Sequence, residues 1–327
     1  MLNDKLQKGQ AFRLFTTSIG AMLVASILIV LLNPLLGFYD ETGTYSYGGF
    51  WWANVISQAV LIVAVVVFCR VVKVDYFQAV ALKNKSNPWV LLCALGVGVG
   101  VFCFMNPIQM WILRAFEYFG YLPQSNVPIS NDAPTVILLV LVVGLLPAFA
   151  EEQLFRGAIT GGLKSLGLIP ACLVGGALFM IFHMNPAQTV HQFVMGFVLS
   201  LLALKSDSLY PTVLVHFVNN IAVILLALIM GEQNANELIY EYWYLFLIVG
   251  LLIAGLSLWG FLKLTKNNDV QKQPTEQAVS TNSKVLDAEQ IKTETKGKNT
   301  SDLMILFAGV LACVVMWLTN LSSNIGG

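Results

Sequence analysis

Long apolar runs separated by short polar breaks make up most of this chain. They fall near 14–36, 51–72, 89–112, 135–164, 168–186, 189–205, 209–230, 241–264 and 303–321. Most approach the roughly 20 apolar residues that carry a helix across a bilayer, so the pattern predicts nine transmembrane helices. Two runs are less regular: 135–164 carries charges in its middle, and 189–205 is short, with His191 near its start. Residues 265–302 interrupt the pattern. They hold no aromatic residue, six lysines against six acids, and many Gln, Thr, Asn and Ser, which predicts a disordered cytoplasmic linker. The run beyond it has no ionisable residue after Asp302 and reads as a packing or anchoring helix. A cut near Lys266 would then leave the remaining chain folded unless that helix packs against it.

Composition agrees with the pattern. With 57% hydrophobic and 11% charged residues among 327, the chain is too apolar for a soluble domain of its size. The expected fold is all-α, a polytopic membrane helical bundle of about eight to nine spans. The net charge is zero and the basic residues are spread along the chain, which argues against a nucleic-acid partner and leaves the lipid bilayer as the surroundings. The five cysteines lie in apolar runs with no Cys-x-x-Cys pair and read as small core hydrophobes. Lys5, Lys8 and Arg13 precede a run too long for a cleaved signal, so the first helix reads as a retained anchor. Placing the N-terminus in the cytoplasm puts every Lys and Arg on that side except Arg114 and Arg156, as the positive-inside rule favours. Short loops without sorting motifs suggest a bacterial plasma membrane.

Candidate chemistry starts at 147–157, PAFAEEQLFRG, where Glu151, Glu152 and Arg156 sit in an apolar run. Ionisable groups at membrane depth are costly and point to function. All three histidines follow: His183 and His216 inside apolar helices, and His191 as a helix-end polar residue. At about 1.5 Å per residue from the expected helix ends, Glu151 lies about 20 Å deep, His183 about 22 Å, His216 about 10 Å and Asn220 about 16 Å. Three helices can therefore meet in one band. Glu152 and Arg156 are i and i+4, suited to an ion pair, while Glu151 projects about 100° away and stays free. His216 and Asn220 share a face one turn apart, as do Phe179 and His183. A carboxylate suits a general base, and paired donors suit an oxyanion. Glu151, His183 and His216 would also make a catalytic zinc set, although no His-Glu-x-x-His helix is present. A proton-coupled transporter would bury Glu and His as well, but the two related halves with broken helices expected of one are not evident.

The ordered set Glu151-Glu152-x-x-x-Arg156, Phe179-x-x-x-His183 and His216-x-x-x-Asn220 resembles the signature of the intramembrane CAAX-protease and bacteriocin-processing family. FVMGFVLS, with Phe193, Gly196 and Ser200, is similar to a further segment of that family, and the Gly196/Ser200 pair reads as a close-packing face. The likeness spans 135–230. It implies an endopeptidase acting on a membrane-embedded or membrane-proximal peptide or protein. Glu151 would be the general base on a water held with His183, His216 and Asn220 would donate to the oxyanion, and Glu152, Arg156 and Phe179 would support them. No cofactor is implied, with zinc the alternative. A non-catalytic scaffold or bacteriocin-immunity factor could keep the same fold. The expected organisation is N-terminal helices in 1–134, a four-helix core in 135–230, an additional helix in 231–264, the linker 265–302 and a final helix in 303–327.

Overall fold

A computed structural model describes residues 5–122, 127–266 and 285–325. It is a helical bundle of α1 (Lys8–Leu36), α2 (Tyr47–Val71), the single turn α3 (Tyr76–Ala79), α4 (Pro88–Tyr118), α5 (Ala133–Thr160), α6 (Leu168–Phe182), α7 (Thr189–Ser206), α8 (Tyr210–Met230), α9 (Glu232–Glu241), α10 (Trp243–Leu264) and α11 (Val285–Ser323). Helix starts follow local chemistry. Ser46, Asn87 and Asp132 cap α2, α4 and α5 by accepting from backbone N–H groups of the first turn, and Pro88 opens α4.

Among the described residues, eight helices are long and apolar enough to cross a membrane, and the chain is an integral membrane protein. The run expected as a ninth span, 168–186, is cut short. α6 has 15 residues, about 22 Å at 1.5 Å each, less than a bilayer core of about 30 Å. The break is local: Met184 takes φ +49°, and Asn185, biased away from helix by Pro186, caps the next turn through its side chain onto Ala187 N. His183 therefore ends a helix instead of lying within one. The segment 231–240, which separates two of the apolar runs, is largely the helix α9.

The linker reading also needs correction. Residues 267–284 lie outside the described residues, but 285–302 are helical and continuous with the last span. The first part of this stretch holds Leu286, Ala288, Glu289, Gln290 and Lys292, and proline is absent, so its polarity is compatible with a helix as well as with a coil. α11 then packs against α1. Arg13 Nε lies 2.6 Å from Asp302 Oδ1, and Thr16 Oγ1 donates to Ile305 O at 2.8 Å. Further along, Trp317 Nε1 donates to Thr189 Oγ1 at 3.0 Å, Tyr121 OH to Asn320 Oδ1 at 3.0 Å, and Leu122 N to Asn324 O at 2.9 Å. Removal of 267–327 is thus expected to lower the melting temperature in detergent by several degrees and to reduce membrane accumulation. An unchanged melting temperature would show that these contacts add nothing to the core.

Close backbone approach organises the rest. α4 packs along α10, where a Cβ on Gly100 would overlap the Ala254 backbone, the small-residue contact that membrane helices favour. α6 packs on α7 in the same way. A Cβ on Gly196 would stand 2.7 Å from Gly176 Cα and 3.1 Å from Phe179 Cβ, and Ser200 Oγ lies 3.3 Å from Thr160 Oγ1. The FVMGFVLS segment is a packing face, and it seats Phe179.

Candidate active site

α5 carries both glutamates and is not a regular α-helix. Leu139–Leu145 and Gln153–Thr160 are wound as π-helix on either side of the α-helical Leu146–Glu152, and the Leu146 N–H reaches back five residues to Leu141 O. Such bulges cost hydrogen-bond quality and concentrate at functional sites. Here they flank the turn that turns Glu151 and Glu152 inward.

Glu152 is the hub. Its Oε1 lies 2.9 Å from Arg156 Nη1, with both side chains fully buried, and 2.9 Å from His216 Nδ1 of α8. The guanidinium stacks over Phe179 with Cζ 3.9 Å from the ring centroid, a cation–π contact strengthened by desolvation. Phe179 also presents its ring edgewise to His183 at 4.5 Å and to His216 at 6.0 Å between centroids. One aromatic ring thus touches the cation and both imidazoles.

Glu151 stands apart from that pair. Among the described residues its buried Oε2 has no hydrogen-bond partner. The two nearest basic atoms are His183 Nε2 at 3.7 Å and His216 Nε2 at 4.0 Å. The far nitrogen of each ring is committed. His183 Nδ1 lies 2.8 Å from Phe179 O, and a carbonyl only accepts, so Nδ1 carries the proton and Nε2 turns a lone pair toward Glu151. His216 Nδ1 likewise donates to the Glu152 carboxylate. His216 sits between the two carboxylates, with Nδ1 2.9 Å from Glu152 Oε1 and Nε2 4.0 Å from Glu151 Oε2.

The structure brings Glu151, Glu152, Arg156, Phe179, His183 and His216 together. Asn220 is one turn above His216, but its Nδ2 lies 3.3 Å from Val143 O and 3.5 Å from Gly144 O on α5. His191 lies in the first turn of α7. Sequence reasoning missed the His216–Glu152 bond, since i and i+4 spacing within α5 pointed only to Arg156. It also missed Gln109 of α4, whose Nε2 donates to Ala187 O at 2.6 Å and anchors the loop after His183. A lone glutamine in an apolar helix was the available signal. For metal binding, no group of three or more His, Cys, Asp or Glu among the described residues is arranged to hold an ion. Ligands of one tetrahedral zinc stand roughly 3.3 Å apart, closer than the separations of 3.7 and 4.0 Å found here.

A buried carboxylate oxygen without a hydrogen-bond partner among the described residues, two imidazoles and a buried ion pair meet where α5, α8 and the end of α6 come together. Residues 133–222 match the Rce1-like family model, described as type II CAAX prenyl endopeptidase Rce1-like, as the resemblance implied. The matched segment contains all seven of these motif residues, and the match implies an intramembrane endopeptidase of the CAAX-protease type. Comparison with curated proteins gave no match, and comparison with solved structures gave none.

Proposed function

We propose that the chain hydrolyses a peptide bond of a membrane-embedded or membrane-proximal peptide, with Glu151 as general base. The observation that carries this reading is the buried, unpartnered Glu151 Oε2 facing the Nε2 atoms of His183 and His216. A water seated between Glu151 and His183 donates one proton to the His183 Nε2 lone pair as a hydrogen bond and gives the other to Glu151. The hydroxide attacks the carbonyl carbon, the C–O bond forms, and the π electrons pass to oxygen. His216 Nε2–H and an Asn220 Nδ2–H stabilise that oxyanion, and the low-dielectric surroundings strengthen both bonds. The tetrahedral intermediate then breaks its C–N bond while Glu151 returns the proton to the leaving amine. The oxyanion role requires a proton on His216 Nε2 beside the one that Nδ1 gives to Glu152, and Arg156 pairs with Glu152. In this reading the N-terminus is cytoplasmic and the membrane is a bacterial plasma membrane, as the distribution of Lys and Arg favours.

The test is a comparison of membrane peptidomes from cells carrying the wild type and cells carrying Glu151→Gln. Peptides that accumulate uncut only in the variant are the substrates. Identical peptidomes would favour a non-catalytic scaffold. Cleavage in detergent is further expected to survive a strong chelator. Loss of activity that zinc alone restores would reassign Glu151, His183 and His216 as metal ligands.

A further inference from the structure

We propose that Pro147 is a positioning residue for Asn220: by leaving α5 one N–H short, it frees a carbonyl at the Val143–Gly144 turn that captures the Asn220 amide and sets its orientation beside His216. The proposal rests on the reading of Asn220 as an oxyanion donor.

In a regular helix the N–H of residue 147 would serve the carbonyl four residues back, Val143 O. Proline has no N–H, and the π winding of Leu139–Leu145 has already shifted the hydrogen-bond register just before it. The carbonyls at this turn therefore have one donor too few. Buried carbonyls do not go unpaired without cost, and the Asn220 side chain supplies the missing donor, with Nδ2 at 3.3 Å from Val143 O and 3.5 Å from Gly144 O. The glycine leaves room for this reach, because a Cβ on Gly144 would stand 2.7 Å from Ile221 Cδ1 and 3.3 Å from Phe217 Cε2, the α8 side chains beside Asn220.

The consequence for catalysis is orientation. The two ends of an amide are nearly isosteric, and only the surrounding acceptors decide which end faces a given point. Two backbone carbonyls accept only, so they force Nδ2 toward α5 and hold the amide in one rotamer. Where one N–H is shared between the two carbonyls, the second is left fixed, one turn from His216. A donor preorganised in this way costs no reorganisation when charge develops. Without the anchor, the amide is free to rotate and to present Oδ1 to the oxyanion.

A double-mutant cycle on the full chain tests the link with two readouts, melting temperature in detergent and kinetics on a cleaved peptide. Asn220→Ala is expected to lower the melting temperature in the wild-type background, where it orphans Val143 O, but not in Pro147→Ala, where α5 satisfies its own carbonyl. Pro147→Ala is expected to lower kcat about tenfold with KM unchanged, a fraction of the 10²–10³ that losing an oxyanion donor costs, and to have no further effect once Asn220 is Ala. Gly144→Ala, which crowds the Ile221 and Phe217 side chains beside Asn220 without touching Pro147, is expected to reproduce the kcat loss and serves if Pro147→Ala does not accumulate. Equal melting-temperature losses from Asn220→Ala in both backgrounds, or unchanged kcat in Pro147→Ala and Gly144→Ala, would overturn the proposal. Full activity of Glu151→Gln would instead overturn the hydrolytic reading, and the melting-temperature cycle would still judge the Pro147–Asn220 link.

Discussion

Glu151→Gln is expected to abolish peptide cleavage, with kcat falling on the order of 10⁴-fold while the protein still folds and inserts. The substitution preserves size and removes only the ability to take a proton, and general-base contributions reach about 10⁴. Folding should be spared because Oε2 of Glu151 makes no hydrogen bond among the described residues, so no structural partner is lost. His183→Ala and His216→Ala should be comparably inactive, since water activation and oxyanion stabilisation fail together when one member is missing. Groups that act as a unit are not additive, and combining Glu151→Gln with His183→Ala should cost little beyond either change alone. Single-turnover kinetics on a substrate from the peptidome comparison, alongside melting curves, would check this. Full activity in Glu151→Gln would sink the mechanism.

The largest stability effect is expected for Arg156→Ala. Arg156 and Glu152 are both fully buried and 2.9 Å apart, and removing one partner of a buried pair costs about 3–5 kcal/mol because the other charge stays behind. At roughly 2–4 °C per kcal/mol for a chain of this size class, the melting temperature should fall by roughly 6–20 °C. Lost stacking of the guanidinium on Phe179 adds to the fall. Glu152→Gln should destabilise for the mirror reason, and the double change Glu152→Gln with Arg156→Met should fold better than the two singles predict additively. The bond from His216 to Glu152 adds a second expectation: the double variant recovers stability but not kcat, since the carboxylate that holds the imidazole is gone. Additive melting temperatures would mean that the pair contributes no coupling and that Arg156 serves another purpose. Recovery of both stability and kcat would show that Glu152 does not act through His216.

The residues that meet at the candidate site were legible in the sequence, because charge in an apolar run is rare enough to stand out and helical periodicity fixes which neighbours share a face. The Glu152–Arg156 pair, the isolation of Glu151 and the shared face of Phe179 and His183 all follow from spacing within one helix. Most spans were legible for the same reason, since the bilayer dictates their length and apolarity. Where the reading went wrong, at 168–186 and 285–302, composition was a poor guide to local backbone: a single turn around Met184 and Pro186 ended α6 early, and a polar stretch without proline continued a helix.

Contacts between helices were decided only by the tertiary structure. That His216 spends one nitrogen on Glu152, that Asn220 rests on carbonyls of α5, that Gln109 and Trp317 reach the segment after His183, and that α11 lies along α1 all depend on rotation and register between helices distant in the chain. The hydrophobic pattern fixes how much of each helix avoids water, but inside a bilayer every apolar face is acceptable to lipid, so the pattern alone does not select a partner. Selection came from the few glycines that let backbones touch and from polar groups that had to find one another, and those matches exist only once the helices are packed.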